Sequence, residues 1–379
     1  MVDHCQRKFL TGLFAYCLFF FITSPTLVYG EAFRNLHQGT AATGQGDAFA
    51  AQADDPSALF YNPAGMSQLE GIQFYANTFL IGGQYDFTSP SGQPFTGNLD
   101  GTIATPPPST FYLTANLDNL DNEAFQDLTL GIGLNSPFGL LIRWPDDVPF
   151  SEVDVFGTLP LIDIKPTMSF SLNEYLSIGG GLDIYTFASF LGEGQVEAQA
   201  IGTGTTFPPG ALVEVNGKDT AIGWNIGALL SLLRNADHQP RLNLAFVYRS
   251  QTTLNLTGEF MISGAKLFDS VFDINLPQVF TWGIAGWPLR DKEREWKVEV
   301  DLDYADWTSF KNVDIREANS GAIISPQPRD WKGSFVVKLG TEYKWLRVSS
   351  LPDWVVAVRG GYIRSETPVP EFTYEPLVP

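Results

Sequence analysis

The stretch Gly44 to Gly65 reads GQGDAFAAQADDPSALFYNPAG, and it lies between an apolar N-terminus and a long series of alternating segments. It is rich in glycine and alanine. Its tripeptide Asn62-Pro63-Ala64 interrupts any regular helix, because proline has no amide hydrogen and clashes with the preceding turn. A compact segment of small residues at this position predicts a plug, which we place at residues 31–70. The segments after it predict the wall of a barrel.

Residues 1–30 have the features of a secretory signal peptide. Two basic residues precede an apolar run over 9–22, and small residues follow near Gly30. A short inner-membrane anchor is the alternative, although the run is too short to span a bilayer comfortably. Both cysteines, Cys5 and Cys17, lie in this segment, so we expect no disulfide framework in the exported chain.

Composition and charge narrow the class further. The formal net charge is −19, which argues against nucleic acid as a partner. Only 17% of the residues are charged and 13% are aromatic, yet no stretch after residue 30 is apolar for long enough to form a transmembrane helix. A membrane protein without such helices has to be a closed β-barrel, because lipid satisfies no backbone hydrogen bonds.

The alternation of apolar and charged residues supports this class. Residues 296–304 read WKVEVDLDY, and a period of two places the apolar set and the charged set on opposite faces of a strand. The same pattern occurs in 241–249 and 334–345. In a soluble β-sandwich the apolar face would point into a core, which is the alternative interpretation. The export signal and the aromatic strand ends favour lipid on that face.

Eleven segments of this kind predict eleven antiparallel strands. They cover residues 71–87, 109–117, 127–137, 160–172, 175–187, 221–233, 241–257, 278–288, 295–306, 332–345 and 353–366. The connections between them alternate in length, and the long ones are 88–108, 138–159, 188–220, 258–277 and 307–331. Outer-membrane barrels have long extracellular loops and short periplasmic turns, so the plug is expected on the periplasmic side.

Several blocks of this sequence resemble the FadL family of long-chain fatty-acid transporters of the outer membrane, which includes TodX-type aromatic-hydrocarbon channels. The plug run resembles the family's N-terminal hatch, and LGIGLNSPFG at 130–139 resembles its third strand and kink. The other matching blocks are 224–230, 244–250, 303–310 and 359–370. The resemblance implies an all-β, antiparallel transmembrane barrel of fourteen strands in a Gram-negative outer membrane. This chain, with its wall over 71–379, would supply the first eleven strands and is expected to be truncated at its C-terminus. A full-length form is expected to be a monomer.

The expected partner is a long-chain fatty acid or another small hydrophobic molecule, and outer-membrane lipid surrounds the wall. Apolar residues in two long connections predict an outer groove that captures ligand, unless they only pack on each other to cap the barrel. The aromatic and aliphatic candidates are Phe190, Phe260, Leu267, Phe268 and Phe272, and the cation candidates for a carboxylate head group are Arg143, Lys165, Arg249 and Lys338. If these cations are paired with acidic residues, a neutral hydrocarbon becomes as plausible a ligand as a fatty acid.

A gate is expected at residues 135–139. Pro137 cannot donate a ladder hydrogen bond and Gly139 has no side chain to pack, so residues 135–139, which include Asn135 and Phe138, are expected to bend or to interrupt pairing. By resemblance, this kink would open a lateral exit, with Asn62-Pro63-Ala64 beside it as the movable end of the hatch. The alternative for the tripeptide is an ordinary turn.

Enzyme chemistry is not expected. The two histidines after the signal segment, His37 and His238, have no partner that would place them beside a nucleophile, and no metal-ligand or phosphate-loop spacing occurs. No cofactor and no metal is expected. A general diffusion porin and a non-transporting surface protein, such as an adhesin, are the alternative functions.

Overall fold

The fold is described by a computed structural model for residues 30–118, 126–188, 194–205, 207–348 and 354–370. In these residues the chain forms two antiparallel sheets, one of eleven strands and one of ten. None of the helices in the described ranges is long and apolar enough to cross a membrane.

The eleven-stranded sheet, which we call the wall, overlaps the eleven segments with alternating patterns. Numbered by chain position, its strands are β1 Ile72–Thr78, β4 Ser109–Asn116, β5 Leu128–Asn135, β8 Leu161–Ser171, β9 Leu176–Phe187, β12 Ala221–Arg234, β13 Pro240–Arg249, β16 Gln278–Arg290, β17 Arg294–Asp306, β20 Ser334–Trp345 and β21 Val356–Ser365. Each strand pairs with the next in this order, so neighbours in the wall are also successive wall strands along the chain.

The second sheet occupies segments that the sequence predicts as long loops. Its strands, in spatial order, are β2 Gly82–Thr88, β3 Pro94–Ile103, β6 Leu140–Arg143, β7 Phe156–Leu159, β10 Val196–Ile201, β11 Leu212–Gly217, β14 Thr252–Ile262, β15 Ala265–Leu276, β18 Ile315–Glu317 and β19 Ile323–Ser325. The loop predictions were therefore wrong over most of these segments. Two predicted strands, 71–87 and 241–257, each divide between the two sheets. Successive strands of this sheet form hairpins such as β14 with β15, but the hairpins are joined to each other by pairings such as β7 with β10 and β11 with β14. These joining pairs are separated along the chain by two wall strands, so a local pattern does not contain them.

The wall has its apolar face outward. On β17, Val298 and Val300 are 40% and 39% exposed, whereas the intervening Glu299 and the following Asp301 are 0% and 1% exposed. A soluble sandwich would show the reverse, with valines buried and carboxylates in water. The burial pattern therefore excludes that interpretation for the wall and leaves the charged face enclosed.

The N-terminal segment, residues 30–69, packs on this charged face. It contains two single-turn helices, α1 Thr40–Thr43 and α2 Ala58–Tyr61, and a 3-10 helix at Pro63–Gln68. It makes a hydrogen bond or a close approach to every wall strand. In wall order, the strand residues involved are Tyr75, Tyr112, Gly131, Ser169, Ser177, Ala228, Asn243, Gly283, Asp301, Glu342 and Gly361. A sheet whose one face meets a single short segment along its whole width has to curl around that segment.

Candidate functional site

An apolar cavity of about 450 Å³ lies between the second sheet and the N-terminal segment. β11 contributes the alternate residues Val213 and Val215, because successive side chains of a strand point to opposite sides, whereas β10 contributes all of residues 196–200. The apolar side chains lining it include Leu140, Leu159, Val196, Ala198, Ala200, Phe207, Val213, Val215, Phe260, Phe272 and Ile274. Its volume falls in the range typical of small-molecule sites.

The end of the cavity next to the N-terminal segment is formed by a cluster of aromatic rings around Phe33. The ring centroid of Phe33 lies 4.9 Å from that of Trp307 and 5.7 Å from those of Phe310 and Trp331. It also lies 6.1 Å from the ring of Phe138, which is 1% exposed. Phe33 belongs to the N-terminal segment, so any movement of that segment would change the shape of the cavity.

The charged side chains of the cavity lining are mostly acidic. Four carboxylates and one guanidinium belong to the lining, namely Glu152, Asp154, Glu197, Asp330 and Arg329. With every group ionised, the lining carries a formal charge of −3, which is four negative charges and one positive charge. The site therefore combines an apolar interior with an acidic set of polar neighbours.

The wall ladder is interrupted where β5 ends. The last residue pair between β5 and β8 is Asn135 with Asp163, and the next strand, β6, begins at Leu140 in the second sheet. The backbone in between pairs with the N-terminal segment, since the Asn35 amide donates to the Pro137 carbonyl at 2.8 Å and the Gly139 amide donates to the Phe33 carbonyl at 2.9 Å.

Gln38 completes this attachment from the N-terminal segment. The Ser136 amide donates to its side-chain oxygen at 3.2 Å, and its side-chain nitrogen donates to the Ser136 carbonyl at 3.0 Å. Gln38 is fully buried. The break in the wall is thus held by hydrogen bonds from residues 33–38.

Asn62-Pro63-Ala64 does not lie beside this break, and that part of the prediction was wrong. Asn62 donates to the Ala228 carbonyl on β12, and Ala64 accepts a hydrogen bond from Ser169 on β8. Ser169 is six residues along β8 from Asp163, which corresponds to roughly 20 Å along a strand. The tripeptide packs tightly there, because a Cβ added at Gly227 would meet the Asn62 side-chain oxygen at 2.3 Å.

The apolar candidates divide into three groups. Phe260 and Phe272 line the cavity. Phe268 stacks on Phe260 with ring centroids 4.8 Å apart but is not a lining residue, and Leu267 is 56% exposed and also outside the lining. Phe190 lies outside the described residues. Only the first two are therefore placed to contact a ligand in this cavity.

None of the four cation candidates lines the apolar cavity. Each is engaged elsewhere: Arg143 with Asp100 and the face of Phe156, Lys165 with Asp183 and Asp163, Arg249 with Asp183 and Phe60, and Lys338 with Asp303. The Lys338–Asp303 distance is 2.8 Å and the Arg249–Asp183 distance is 3.7 Å. The buried cations on the charged face of the wall are held by carboxylates because an unpaired buried charge is costly.

Sequence reasoning missed the carboxylates that hold the N-terminal segment. Asp301 accepts hydrogen bonds from the amides of Phe49 and Ala50, both at 2.9 Å, and Glu299 accepts one from the Ala51 amide at 2.7 Å. It also missed the aromatic cluster around Phe33. The WKVEVDLDY alternation placed both carboxylates on the enclosed face, but their partners are about 250 residues away in the chain.

His37 provides a pH-dependent contact within the N-terminal segment. Hydrogen bonding to Asp47, at 2.6 Å from Nδ1, raises the pKa of His37 above its ordinary value. Because the pKa of His37 is higher in the folded protein, the contact between protonated His37 and Asp47 stabilises the fold fully at pH values below the unfolded pKa of about 6.5. This stabilisation is lost as the pH rises through the folded pKa.

We therefore expect amide hydrogen exchange around Asp47 to become faster as the pH rises through the folded pKa of His37, by more than the intrinsic exchange rate increases. His37→Gln should remove this excess, and His238→Gln should not. An identical pH profile in His37→Gln would contradict the role of His37.

Comparison with known proteins gives consistent matches. A family model described as outer membrane protein transport protein (OMPP1/FadL/TodX) matches residues 32–379. The chain is similar to a long-chain fatty acid transport protein of Salmonella typhi, with 23% identity over 331 residues that cover 80% of this chain and 71% of the relative.

Solved structures share the fold. A Pseudomonas aeruginosa FadL homologue superposes with a TM-score of 0.68 at 17% identity, covering 92% of this chain and 84% of the homologue. The Ralstonia pickettii toluene transporter TbuX superposes with a TM-score of 0.63 at 16% identity, covering 88% of this chain and 87% of the transporter.

Proposed function

Because this chain belongs to the outer membrane protein transport family (OMPP1/FadL/TodX), we propose that it carries small hydrophobic molecules, such as fatty acids or hydrocarbons, across the outer membrane. The observation that carries the proposal is the apolar cavity of about 450 Å³ that the second sheet closes over Phe33 of the N-terminal segment. An apolar ligand gains free energy by leaving water for such a cavity, in proportion to the apolar area it buries.

The route that we propose leads from this cavity past the break in the wall. Phe138 belongs to the break, and its ring contacts that of Phe33 at the end of the cavity. Ligand would leave sideways where β5 ends, after residues 33–38 release the backbone at 136–139. The gating residues are then Asn135, Pro137, Phe138 and Gly139 together with Gln38. In this scheme Asn62-Pro63-Ala64 anchors the segment at the opposite end instead of moving beside the exit.

A reversible cross-link tests this route. Arg34 and Phe138 form an isolated antiparallel bridge, and the two flanking backbone bonds make them a non-hydrogen-bonded pair, whose Cα atoms are typically about 4.5 Å apart. That spacing suits a disulfide. With both residues changed to cysteine, cells that carry the oxidised variant should take up no more hydrophobic substrate than cells that lack the protein. A reductant should restore uptake.

The reduced form of the same variant is the control, since it contains the same substitutions without the cross-link. The two native cysteines, Cys5 and Cys17, both precede residue 30 and do not compete within the exported chain. Membrane insertion should be equal in both redox states. Unchanged uptake by the oxidised form would show that ligand leaves by another path, for example through the N-terminal segment itself.

A further inference from the structure

We propose that a polar cleft on the outward face of the second sheet binds the phosphorylated sugar head group of a glycolipid in the outer leaflet. The cleft has a volume of about 470 Å³ and is distinct from the apolar cavity, although Thr158 and Glu197 belong to the linings of both. Strands β3, β6, β7 and β10 contribute residues to it, and Lys218 adds the residue that follows β11. This site lies on the outside of the protein and does not depend on the route of transport.

The strand alternation shows on which face of the second sheet the cleft lies. Leu159 lines only the apolar cavity and Phe156 lines only the cleft, as expected for residues three apart on one strand. Only Pro160 separates β7 from β8, so Phe156 lies on the same side as Met168, which is 59% exposed on the outward face of the wall. The cleft therefore opens on the side of the sheet that continues the lipid-facing surface.

The outward surface changes from apolar to polar where the wall meets the second sheet. On β12, Ile222 and Trp224 are 66% and 50% exposed. Two residues before Ile222, the hydroxyl of Thr220 lies 2.8 Å from that of Thr186 on the neighbouring β9. Surfaces in contact with hydrocarbon are apolar, whereas hydroxyl and ammonium groups require polar surroundings. The hydrocarbon layer therefore ends between residues 218 and 222, and the cleft begins directly beyond it.

Lys218 is the residue that brings the cleft within reach of a lipid head group. It is exposed, and its ammonium group has no ion-pair partner in the described part of the chain. Four residues separate it from Ile222, which is roughly 13 Å along an extended chain. The outer leaflet of a Gram-negative outer membrane contains lipopolysaccharide, whose phosphorylated sugars lie directly above its acyl chains. A lipid with its chains on Ile222 and Trp224 would place a sugar phosphate beside this ammonium, and the two charges are complementary.

The rest of the lining suits sugar hydroxyls better than an apolar ligand. Gln195, which lines only the cleft, donates to Glu197 Oε1 at 2.7 Å, so the carboxylate points to this side. The second oxygen of Glu197 can accept a hydrogen bond from a sugar hydroxyl. Phe156 offers little apolar surface, because it is 7% exposed and the Arg143 guanidinium lies 4.3 Å from its ring centroid.

Binding of purified lipopolysaccharide to the full chain in micelles of a neutral detergent tests this site. We expect Lys218→Gln to weaken binding by about fivefold, as the loss of one exposed charge pair would. Leu141→Trp, which fills the cleft, should weaken it further. The control is Lys292→Gln in the turn between β16 and β17, which removes an exposed cation at the other end of the wall and should leave affinity unchanged. Binding of N-phenylnaphthylamine, an uncharged fluorescent probe for the apolar cavity, should be the same in all three variants and shows that they are folded.

Dephosphorylated lipopolysaccharide separates the role of the phosphate from that of the sugar. It should bind wild type about as weakly as the intact lipid binds Lys218→Gln, and Lys218→Gln should not weaken it further. Full affinity in both cleft variants, or an equal loss in Lys292→Gln, would overturn the proposal. So would a free core oligosaccharide that binds as tightly as the intact lipid, since the cleft would then take a soluble sugar. Phosphatidylglycerol that binds with the same dependence on Lys218 would show that no sugar is recognised.

Discussion

Replacing Val213 by tryptophan is expected to weaken the binding of hydrophobic ligand strongly and to lower its uptake. Val213 is 7% exposed and lines the cavity from β11. An indole in its place would occupy space that a ligand needs, and a preformed apolar site tolerates such filling poorly because its walls are packed by neighbouring strands. Affinity measured by probe fluorescence should fall by about tenfold or more, equivalent to at least ~1.4 kcal/mol.

The matched control is Leu267→Trp on the neighbouring hairpin of β14 and β15. Leu267 is 56% exposed and lies outside the cavity lining, so an indole there should leave affinity unchanged. Ala198→Phe is a second filling variant on β10 with a similar added volume, and it should weaken binding in the same direction. Heat-modifiable migration on gels checks that all three variants are folded. Full affinity in a folded Val213→Trp protein would place the ligand site elsewhere.

Removing the Asp301 carboxylate is expected to loosen the N-terminal segment and raise ion conductance through the wall. The Asp301→Ala variant leaves the buried amides of Phe49 and Ala50 without their acceptor on the charged face of the wall. A buried amide that loses its partner costs about 1–3 kcal/mol, unless water replaces the acceptor. Adding Glu299→Ala removes the acceptor of Ala51 and the partner of Lys297, so the double variant should have the larger effect.

Planar-bilayer recordings measure this outcome. Wild type should show little steady current. The Asp301→Ala variant should show brief openings, and the double variant should show longer openings. Asp301→Asn keeps an oxygen that can accept both amide hydrogens and should lie close to wild type. Asp291→Ala, in an exposed turn between β16 and β17, controls for the loss of a negative charge. A large and steady current through wild type would instead favour a general diffusion porin.

Some features of this protein follow from the sequence alone, because their causes are local. The alternation in 296–304 places valines and carboxylates on opposite faces of β17 whatever the strand pairs with, since a strand repeats every two residues. The position of the break in the wall is also local. Pro137 has no amide hydrogen to donate, and the ladder stops at Asn135.

Other features were decided only by the tertiary structure. The assembly of separate hairpins into the ten-stranded sheet, the aromatic cluster around Phe33 and the pairing of Arg34 and Lys338 with Asp303 join residues that are far apart in the chain. The alternation of the sequence predicts on which face of a strand a cation lies, but its availability to a ligand depends on which carboxylates the curled wall brings within 4 Å. For the same reason Asn62-Pro63-Ala64 was placed beside the wrong strand. A turn motif specifies its own backbone, whereas its neighbours are set by how the whole sheet curls around the N-terminal segment.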